Sequence, residues 1–491
     1  MFRSGILKRI SWWFPKDVEK SEYKLKKVIK KVPDYVTQRW SMMHKRLNRR
    51  IDHFFVQWKN SQFRRPLLVR GARQVGKTYS VIHFAEAHFS NYVVLNFEER
   101  PEFNKCFESL DIKEIIDRIS IVTNSIIYPG KTLLFMDEIQ DCSSAILALR
   151  YFYEKMPELH IIGAGSLLEF AIKSSEFRMP VGRITSIFME PLNFSEFLDA
   201  TEQSRLSEYL SEVTIQKGVD RIYKVPLEKA LRKYLLIGGM PAIVSAFVSG
   251  AMPRDIQILQ SSIIQTYQAD FSKYATTARQ KYLKDIFAAT PRLTGNICKY
   301  SHINPNVQSR DLKPALELLS DARCIYPVYH SAGQGVPLEA QVNYKKFKLL
   351  FIDVGLMQRQ LGLDTELIMN ENVMTINQGN VSEQYIGQQL LSEIDCIEEK
   401  RIHFWLRESR NSQAEVDYLV QLDTHVFAVE VKSGKTGRLK SLRIFLKEHP
   451  ATPFGIRFSL HELSWHDRVL SIPLYMANHW KRLAKGVLES I

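Results

Sequence analysis

The sequence predicts an α/β protein in which a parallel sheet is followed by a mostly helical region and then by a second α/β region. Three observations support this prediction. Short β-rich runs alternate with helical stretches from Arg65 to about residue 200, helical periodicity dominates from about 200 to 330, and strand-like runs return after Tyr344. The predicted regions are a basic leader at 1–45, an α/β domain at 46–200, a helical region at 201–335 and a second α/β domain at 336–491.

Length and composition agree with this division. A chain of 491 residues exceeds what one hydrophobic core usually organises. Its 67 basic and 53 acidic residues give a net charge of +14, which favours a polyanion such as DNA or an anionic membrane as a partner, although solvated surface cations explain the excess equally well. The five cysteines are scattered and form no CxxC pair, and neither a membrane-spanning run nor a secretory signal is recognisable. The sequence therefore predicts a cytoplasmic protein without a zinc site.

The leader at 1–45 is basic and contains scattered aromatic residues. It fits an arm that contacts a membrane, a protein partner or nucleic acid, and it fits a helical surface extension still better. Its role stays open at this stage.

Five candidate strands follow the leader, with helical material between most of them. They are Pro66–Arg70, Tyr92–Phe97, Thr132–Met136, His160–Ile162 and Thr185–Met189. This alternation is typical of a parallel sheet covered by helices.

A phosphate-binding motif follows the first strand. The eight residues Gly71, Ala72, Arg73, Gln74, Val75, Gly76, Lys77 and Thr78 fit the pattern G-x-x-x-x-G-K-[ST] in full, and a helix follows. Glycines let backbone amides approach phosphate oxygens, and the positive end of the helix faces the same anion. We expect Lys77 to reach the β- and γ-phosphates and Thr78 to bind magnesium. The motif predicts a site for Mg-ATP.

The third strand supports this site because it ends in two carboxylates, Asp137 and Glu138. At the end of a strand near a P-loop, the first acid holds the magnesium shell and the second polarises the attacking water. We therefore expect ATP hydrolysis, with Lys77 and Glu138 as catalytic residues and Thr78 and Asp137 as metal ligands.

From about Arg65 onward the chain resembles prokaryotic AAA-type ATPases that carry a C-terminal domain of unknown function. The resemblance rests on RGARQVGKT, LLFMDEIQ, IIGAGSLLEF, VGRITSIFMEPLNFSEFL, YLLIGGMPAIV and KLLFIDVGL. It implies that Ser166 reads the γ-phosphate, although this chain has GAGS where the family more often has TGSS. It also implies that Arg183 contacts nucleotide, in its own chain or in a neighbouring one, unless it forms a surface salt bridge. An arginine acting in trans requires a homo-oligomer, and the sequence leaves the oligomeric state open.

The end of the helical region suggests a winged-helix-like module. Helices at Lys281–Ala289, Asn296–Tyr300 and Ser309–Ser320 precede a strand at Cys324–Tyr329. Leu312, Leu316 and Leu319 recur at helical spacing and should pack inward, which leaves Arg310 and Lys313 outside to meet DNA phosphates. A small helical packing module without a DNA role explains the same pattern.

The last region combines acids with a lysine. Asp417 lies in one strand, Glu430 and Lys432 share a face of the next, and Glu383 lies on the preceding helix. The set resembles the PD-(D/E)xK nuclease core and thus a restriction-endonuclease-like fold. That resemblance implies that Glu383, Asp417 and Glu430 bind Mg²⁺ and that Asp417, Glu430 and Lys432 are catalytic. A basic segment at Ser433–Arg443 suits a phosphate backbone.

Three functional hypotheses remain at this stage. The first is an ATP-driven enzyme that acts on DNA, the second is an ATP-dependent switch whose C-terminal domain binds a partner without cleaving, and the third is a membrane-surface ATPase that uses the basic leader. The acids near Lys432 favour the first over the second.

Overall fold

The structure is a computed structural model that describes residues 47–166, 168, 182–275, 277–362, 378–408, 414–434 and 439–490. The predicted leader at 1–45 lies outside these residues, as do residues 435–438 of the basic segment Ser433–Arg443. The phosphate-binding motif and the acidic residues of the C-terminal region all lie within them.

The first sheet contains five parallel strands among the described residues, in the order β2-β3-β4-β1-β5. They are β1 Leu67–Arg70, β2 Asn91–Asn96, β3 Thr132–Asp137, β4 His160–Gly165 and β5 Thr185–Phe188. This arrangement confirms the predicted parallel α/β sheet. β1 lies between β4 and β5, and because the strands are parallel, the turn that follows β1 lies at the carboxyl edge of the sheet, where α/β proteins bind ligands.

Helices cover both faces of this sheet, and each strand sends alternate side chains to the two sides. The helices are α1 Arg50–Asn60, α2 Lys77–His88, α3 Ile112–Thr123 and α4 Ser143–Lys155. Leu133 and Phe135 of β3 join the core that includes α1 and α2, whereas Leu134 and Met136 join the core formed with α3 and α4. All six residues of β3 are buried, as expected for a parallel strand covered on both faces.

The middle region is helical, as predicted. It contains α5 Phe194–Ala200, α6 Ser204–Glu212, α7 Arg221–Ile237, α8 Pro241–Val248, α9 Pro253–Tyr274, α10 Thr277–Leu293, α11 Tyr300–Ile303 and α12 Ser309–Asp321. The leucines Leu312, Leu316 and Leu319 of α12 are buried. Arg310 and Lys313 of the same helix are exposed.

The second sheet contains eight strands in the described part of the chain, in the order β12-β13-β11-β10-β9-β8-β6-β7. They are β6 Ile325–Ser331, β7 Val342–Phe351, β8 His403–Leu406, β9 Glu415–Leu422, β10 His425–Val431, β11 Gly455–Ser459, β12 Ser464–His466 and β13 Val469–Pro473. β6 and β7 are antiparallel neighbours. The boundary expected at 335/336 therefore falls between two strands that pair with each other.

Four further helices belong to this part of the chain: α13 Val354–Gln360, α14 Gln378–Ser392, α15 Lys440–Glu448 and α16 Trp480–Leu488. One continuous hydrophobic core runs from Leu47 through the first sheet and the helical region to Val487, and Leu47–Ile491 form one compact unit. Among the described residues, no helix combines the length and the apolar character needed to cross a membrane.

Candidate nucleotide site and C-terminal acidic cluster

The turn from Gly71 to Thr78 joins β1 to α2 and has the backbone shape that only glycine adopts easily. Gly71 has a φ of +150° and Gly76 has a φ of +97°. A Cβ atom on Gly71 would lie 2.3 Å from the carbonyl oxygen of Met189, so a side chain there has no room. The two glycines of the motif are therefore required by the fold of the turn.

The Lys77 side chain is buried at the centre of this turn. Its Nζ donates to the carbonyl oxygens of Gly71, at 3.0 Å, and Ala72, at 2.9 Å. Burial lowers the pKa of Lys77 to about 8, against the opposing effect of the Glu138 and Asp137 charges. The ammonium group is thus held where phosphates would meet it.

The Thr78 hydroxyl and the Asp137 carboxylate face each other across the carboxyl edge of the sheet. Thr78 Oγ1 donates to Asp137, with distances of 3.1 and 3.0 Å to Oδ1 and Oδ2, and Asn96 Nδ2 lies 3.3 Å from Oδ2. Burial, followed by the Glu138 charge, raises the pKa of Asp137 to about 6. Hydroxyl and carboxylate oxygens are the donors that Mg²⁺ prefers, so the two predicted ligands fit that ion. Asn96 was not foreseen, although it ends an apolar strand run.

Glu138 has a left-handed backbone, with a φ of 48°, which is uncommon outside glycine and recurs at functional sites. Its Oε2 accepts from Gln140 Nε2 at 2.8 Å and from the backbone nitrogen and hydroxyl of Ser166, both at 3.3 Å. The predicted water-polarising acid and the predicted γ-phosphate sensor are therefore in contact.

The remaining motif residues attach the turn to other parts of the protein. The Arg73 guanidinium lies 3.3 Å from both Glu98 and Asp270, and the Arg73 carbonyl accepts from the Tyr267 hydroxyl at 2.7 Å. Tyr267 and Asp270 belong to α9. Arg73 is thus directed towards acids in this structure.

Val75 is buried, and its carbonyl accepts from Arg49 Nη1 at 3.0 Å. Arg49 is also buried and pairs with Glu196 at 3.0 Å. No local sequence pattern indicates a role for Arg49 or for α9, because both contacts join residues far apart in the chain.

Arg183 does not reach the nucleotide site of its own chain. It precedes β5, which runs parallel to β1, so it lies at the amino edge of the sheet, whereas the motif follows the carboxyl end of β1. Its Nε lies 3.0 Å from Glu154, and its guanidinium is 5.9 Å from the ring centre of Tyr153. A role for Arg183 in its own chain does not agree with this position. The pair with Glu154 is the surface salt bridge that the sequence left open, and a contact with the nucleotide of a neighbouring chain stays a prediction.

The C-terminal acids surround a lysine, Lys348, that is not part of the predicted nuclease-like set. Lys348 of β7 is 2% exposed, and its Nζ lies 2.9 Å from Glu383 and 3.7 Å from Asp417 and also contacts Glu415. The three carboxylates raise the pKa of Lys348 above its ordinary value, against desolvation. Burial is the main cause that raises the pKa of Glu383.

The other predicted members of this site lie beside that cluster. Lys432 Nζ is 2.5 Å from Glu430 Oε1, and Asp417 Oδ2 accepts from the Val431 backbone nitrogen at 2.7 Å. Glu430 Oε2 is buried and has no hydrogen-bond partner in the described structure. Burial raises the pKa of Glu430 to about 7. The structure thus brings Glu383, Asp417, Glu430 and Lys432 to one region, as predicted.

A magnesium site built from Glu383, Asp417 and Glu430 does not agree with this geometry. Within the described ranges, no group of three or more histidine, cysteine, aspartate or glutamate side chains is arranged to hold a metal ion. The physical reason is that the Lys348 ammonium lies between two of the three predicted ligands. The sequence does not indicate this role for Lys348, because its strand is far from the EVD and EVK segments in the chain.

Comparison with known proteins agrees with the first region and leaves the others open. Residues 63–198 match the family described as AAA domain. Residues 228–367 and 378–475 match two domains of unknown function, DUF8612 and DUF4143. Together with the five-stranded parallel sheet and the turn Gly71–Thr78, the first match makes residues 63–198 similar to AAA-type P-loop domains. The winged-helix-like and nuclease-like interpretations stay predictions.

A curated relative is an uncharacterised protein of Methanocaldococcus jannaschii, MJ1637. It is 26% identical over 186 residues, which are 36% of this chain and 38% of that protein. The chain therefore matches less than two-fifths of the length of this relative.

Similar solved structures include the Walker-type ATPase PABY2304 of Pyrococcus abyssi, with a TM-score of 0.43 and 14% identity over 65% of this chain and 99% of that chain. The Aeropyrum pernix ORC2 protein has a TM-score of 0.33 and 10% identity over 67% and 97% of the two chains. The Thermotoga maritima RuvB Holliday junction branch migration motor has a TM-score of 0.25 and 15% identity over 63% and 91%.

Proposed function

We propose that the protein binds Mg-ATP at the turn Gly71–Thr78 and hydrolyses it. The observation that carries the proposal is that Lys77, Thr78, Asp137 and Glu138 converge at the carboxyl edge of one sheet. Thr78 and Asp137 would hold magnesium, which neutralises charge on the phosphates when bound. Lys77 binds the phosphates, Glu138 polarises the attacking water, and Ser166 orients Glu138 beside the γ-phosphate.

Phosphate release and calorimetric nucleotide binding test this proposal. Lys77→Ala should lose both, because the buried ammonium that meets the phosphates is gone. Glu138→Gln should still bind ATP but release phosphate about 100-fold more slowly or worse, the usual loss with a general base. Lys113→Ala, at an exposed position on α3, serves as the control. Unchanged turnover in Lys77→Ala would refute the proposal.

A role for Arg183 requires a neighbouring copy, because its own chain places it at the other edge of the sheet. Such a role predicts that turnover per chain rises with protein concentration and that Arg183→Ala abolishes the rise. A wild-type turnover that is independent of concentration over the range in which the chain self-associates would exclude it.

We further propose that DNA is the macromolecular ligand and that α10, α11, α12 and the β6–β7 hairpin form a winged-helix-like module. The order of helices followed by a hairpin supports this, as do the buried leucines and exposed cations of α12. The net charge of +14 agrees with a polyanionic partner.

Salt-dependent DNA binding tests the module. The double variant Arg310→Ala/Lys313→Ala should bind duplex DNA more weakly and show a salt slope smaller by up to about two, because each lost phosphate contact releases one fewer counterion. The control is Lys229→Ala/Arg232→Ala, which removes two exposed cations at the same spacing from α7. Equal loss in both variants would leave α12 without a specific role.

Two versions of this function differ in what the C-terminal domain does. In one, Asp417, Glu430 and Lys432 cleave DNA. In the other, ATP occupancy switches contacts with a partner and the domain binds without cleaving. The position of Lys348 favours the second version, since it occupies the middle of the acidic cluster. Incubation of supercoiled, branched and single-stranded DNA with Mg²⁺ or Mn²⁺ separates them, because only the first predicts nicking that Asp417→Ala abolishes.

A further inference from the structure

The acidic cluster of the second sheet is assembled around one ammonium group. Glu383 comes from α14, Glu415 and Asp417 come from one face of β9, and Lys348 comes from β7. The lysine Nζ contacts all three carboxylates, at 2.9 Å for Glu383 and 3.7 Å for Asp417. Three elements that are distant in sequence therefore place their charges at one buried point.

The ammonium group and a magnesium ion cannot share these carboxylates. Mg²⁺ requires oxygen ligands at about 2.0–2.1 Å in near-octahedral geometry. An ion bound to both Glu383 and Asp417 would lie within a few ångströms of Lys348 Nζ, where the two positive charges repel each other in a poorly solvated site. The acids can satisfy the lysine or a dication, but not both.

The surroundings of Lys348 also keep its side chain in place. Its side chain is 2% exposed, and the ring centre of Phe404 lies 5.5 Å from Nζ. Lys348 itself pairs with Val328 of β6, in the part of β7 that lies beyond the register shift between the two strands, and this pairing fixes the backbone that carries the lysine. Moving the ammonium away would leave a buried charge and its carboxylates unpaired, which is far more costly than keeping the pair.

Glu430 does not restore a metal site. Its Oε1 pairs with Lys432, and Asp417 uses its Oδ2 to accept from the Val431 nitrogen. Among the described carboxylates of this cluster, the buried Glu430 Oε2 has no partner, so it is a single metal-ligating oxygen beside acids that already have partners.

We propose that Lys348 takes the place of the divalent cation in the C-terminal nuclease-like core, so that this domain is a metal-free fold that does not cleave nucleic acid. The proposal is independent of ATP hydrolysis. It makes the carboxylates around Lys348 a fixed internal ion-pair network, with the domain's ligand contacts elsewhere on its surface.

Binding of Mn²⁺ to the full chain without nucleotide tests the proposal, with bound Mn²⁺ measured by electron paramagnetic resonance. Wild type, Asp417→Asn and Glu430→Gln should bind equal amounts, because the cluster contributes no site. Lys348→Met should bind one additional Mn²⁺ per chain and gain thermal stability on Mn²⁺ addition. The double variant Lys348→Met/Asp417→Asn should lose both gains.

An Asp417-dependent Mn²⁺ in wild type would overturn the proposal, and so would a folded Lys348→Met protein that gains none. If Lys348→Met does not fold, the comparison of wild type with Asp417→Asn and Glu430→Gln decides alone. Phosphate release from ATP is measured separately in the same wild-type preparation. A failure of the ATPase proposal is thus distinguishable from a failure of this one.

Discussion

Gly71 shows how a single residue determines whether the nucleotide turn can form. Its missing side chain leaves room for the Met189 carbonyl, which a Cβ would approach to 2.3 Å. Because that neighbour is backbone, we expect Gly71→Ala to distort the turn and reduce ATP affinity at least about tenfold, a loss of roughly 1.4 kcal/mol or more. Calorimetry measures the affinity.

Gly130→Ala is the matched control, since Gly130 also has a positive φ, of +82°, but open space around it. It should cost only the backbone strain of an L-residue, about 1–2 kcal/mol of stability, and leave ATP affinity unchanged. Equal ATP affinities in the two variants would show that the close approach at Gly71 is unimportant.

His160 gives the stability of the protein a predictable pH dependence. Burial lowers the pKa of this imidazole to about 4, and it packs edge-on against Trp58 and Phe89. The unfolded chain, with a histidine pKa of about 6.5, binds a proton more readily than the folded chain. Stability should therefore fall as the pH drops from about 6.5 towards 4.

The variant His160→Phe should reduce that fall by about 1 kcal/mol between pH 7.5 and 5.5, as measured by urea unfolding at each pH. His302→Phe, which changes a histidine exposed on α11, is the control. An identical pH dependence in wild type and His160→Phe would contradict the assignment.

At the scale of elements, the sequence predicted those strands whose positions depend on neighbouring residues alone. The strands β1 to β5 were recognisable because short apolar runs and the following glycines or acids are properties of neighbouring residues. The place of β7 was not, because its pairing with β6 depends on a long-range fold. For the same reason the sequence did not indicate the role of Lys348, because this residue contacts Asp417 only when β7 and β9 are part of the same sheet.

Helix α9 links the helical region to the nucleotide turn, and this contact also was not evident in the sequence. Tyr267 donates to the Arg73 carbonyl at 2.7 Å. Tyr267→Phe removes only that hydroxyl, so we expect a loss of about 1 kcal/mol in stability. ATP affinity should fall a few-fold, because the turn is less firmly held.

Urea unfolding and calorimetry measure these two effects of Tyr267→Phe. Tyr344→Phe is the control, because the Tyr344 hydroxyl is exposed and contacts only the partly exposed Glu339 among the described residues. A loss of stability with unchanged ATP affinity would mean that the hydrogen bond supports the fold but not the turn.

At the scale of the whole molecule, one buried polar cluster joins the three regions. Asp353 is completely buried and accepts from Gly239 N at 2.7 Å, Leu356 N at 3.0 Å and Gln388 Nε2 at 3.2 Å. Gln389 of the same helix as Gln388 accepts from Phe194 N at 2.9 Å. The segments YLLIGGMPAIV, KLLFIDVGL and PLNFSEFL, which carried the family resemblance, therefore meet at one point.

This cluster predicts that the described unit unfolds cooperatively. Asp353→Ala leaves the buried amides of Gly239 and Leu356 without an acceptor and removes one of the two acceptors of Gln388 Nε2, so we expect a loss of about 3–5 kcal/mol. Hydrogen exchange should show faster exchange in β3 of the first sheet and in β10 of the second by similar factors. Asp117→Ala, at an exposed aspartate of α3, should change neither. Faster exchange confined to the second sheet would show that the two sheets unfold independently, because a cluster shared by all three regions cannot be lost from one of them alone.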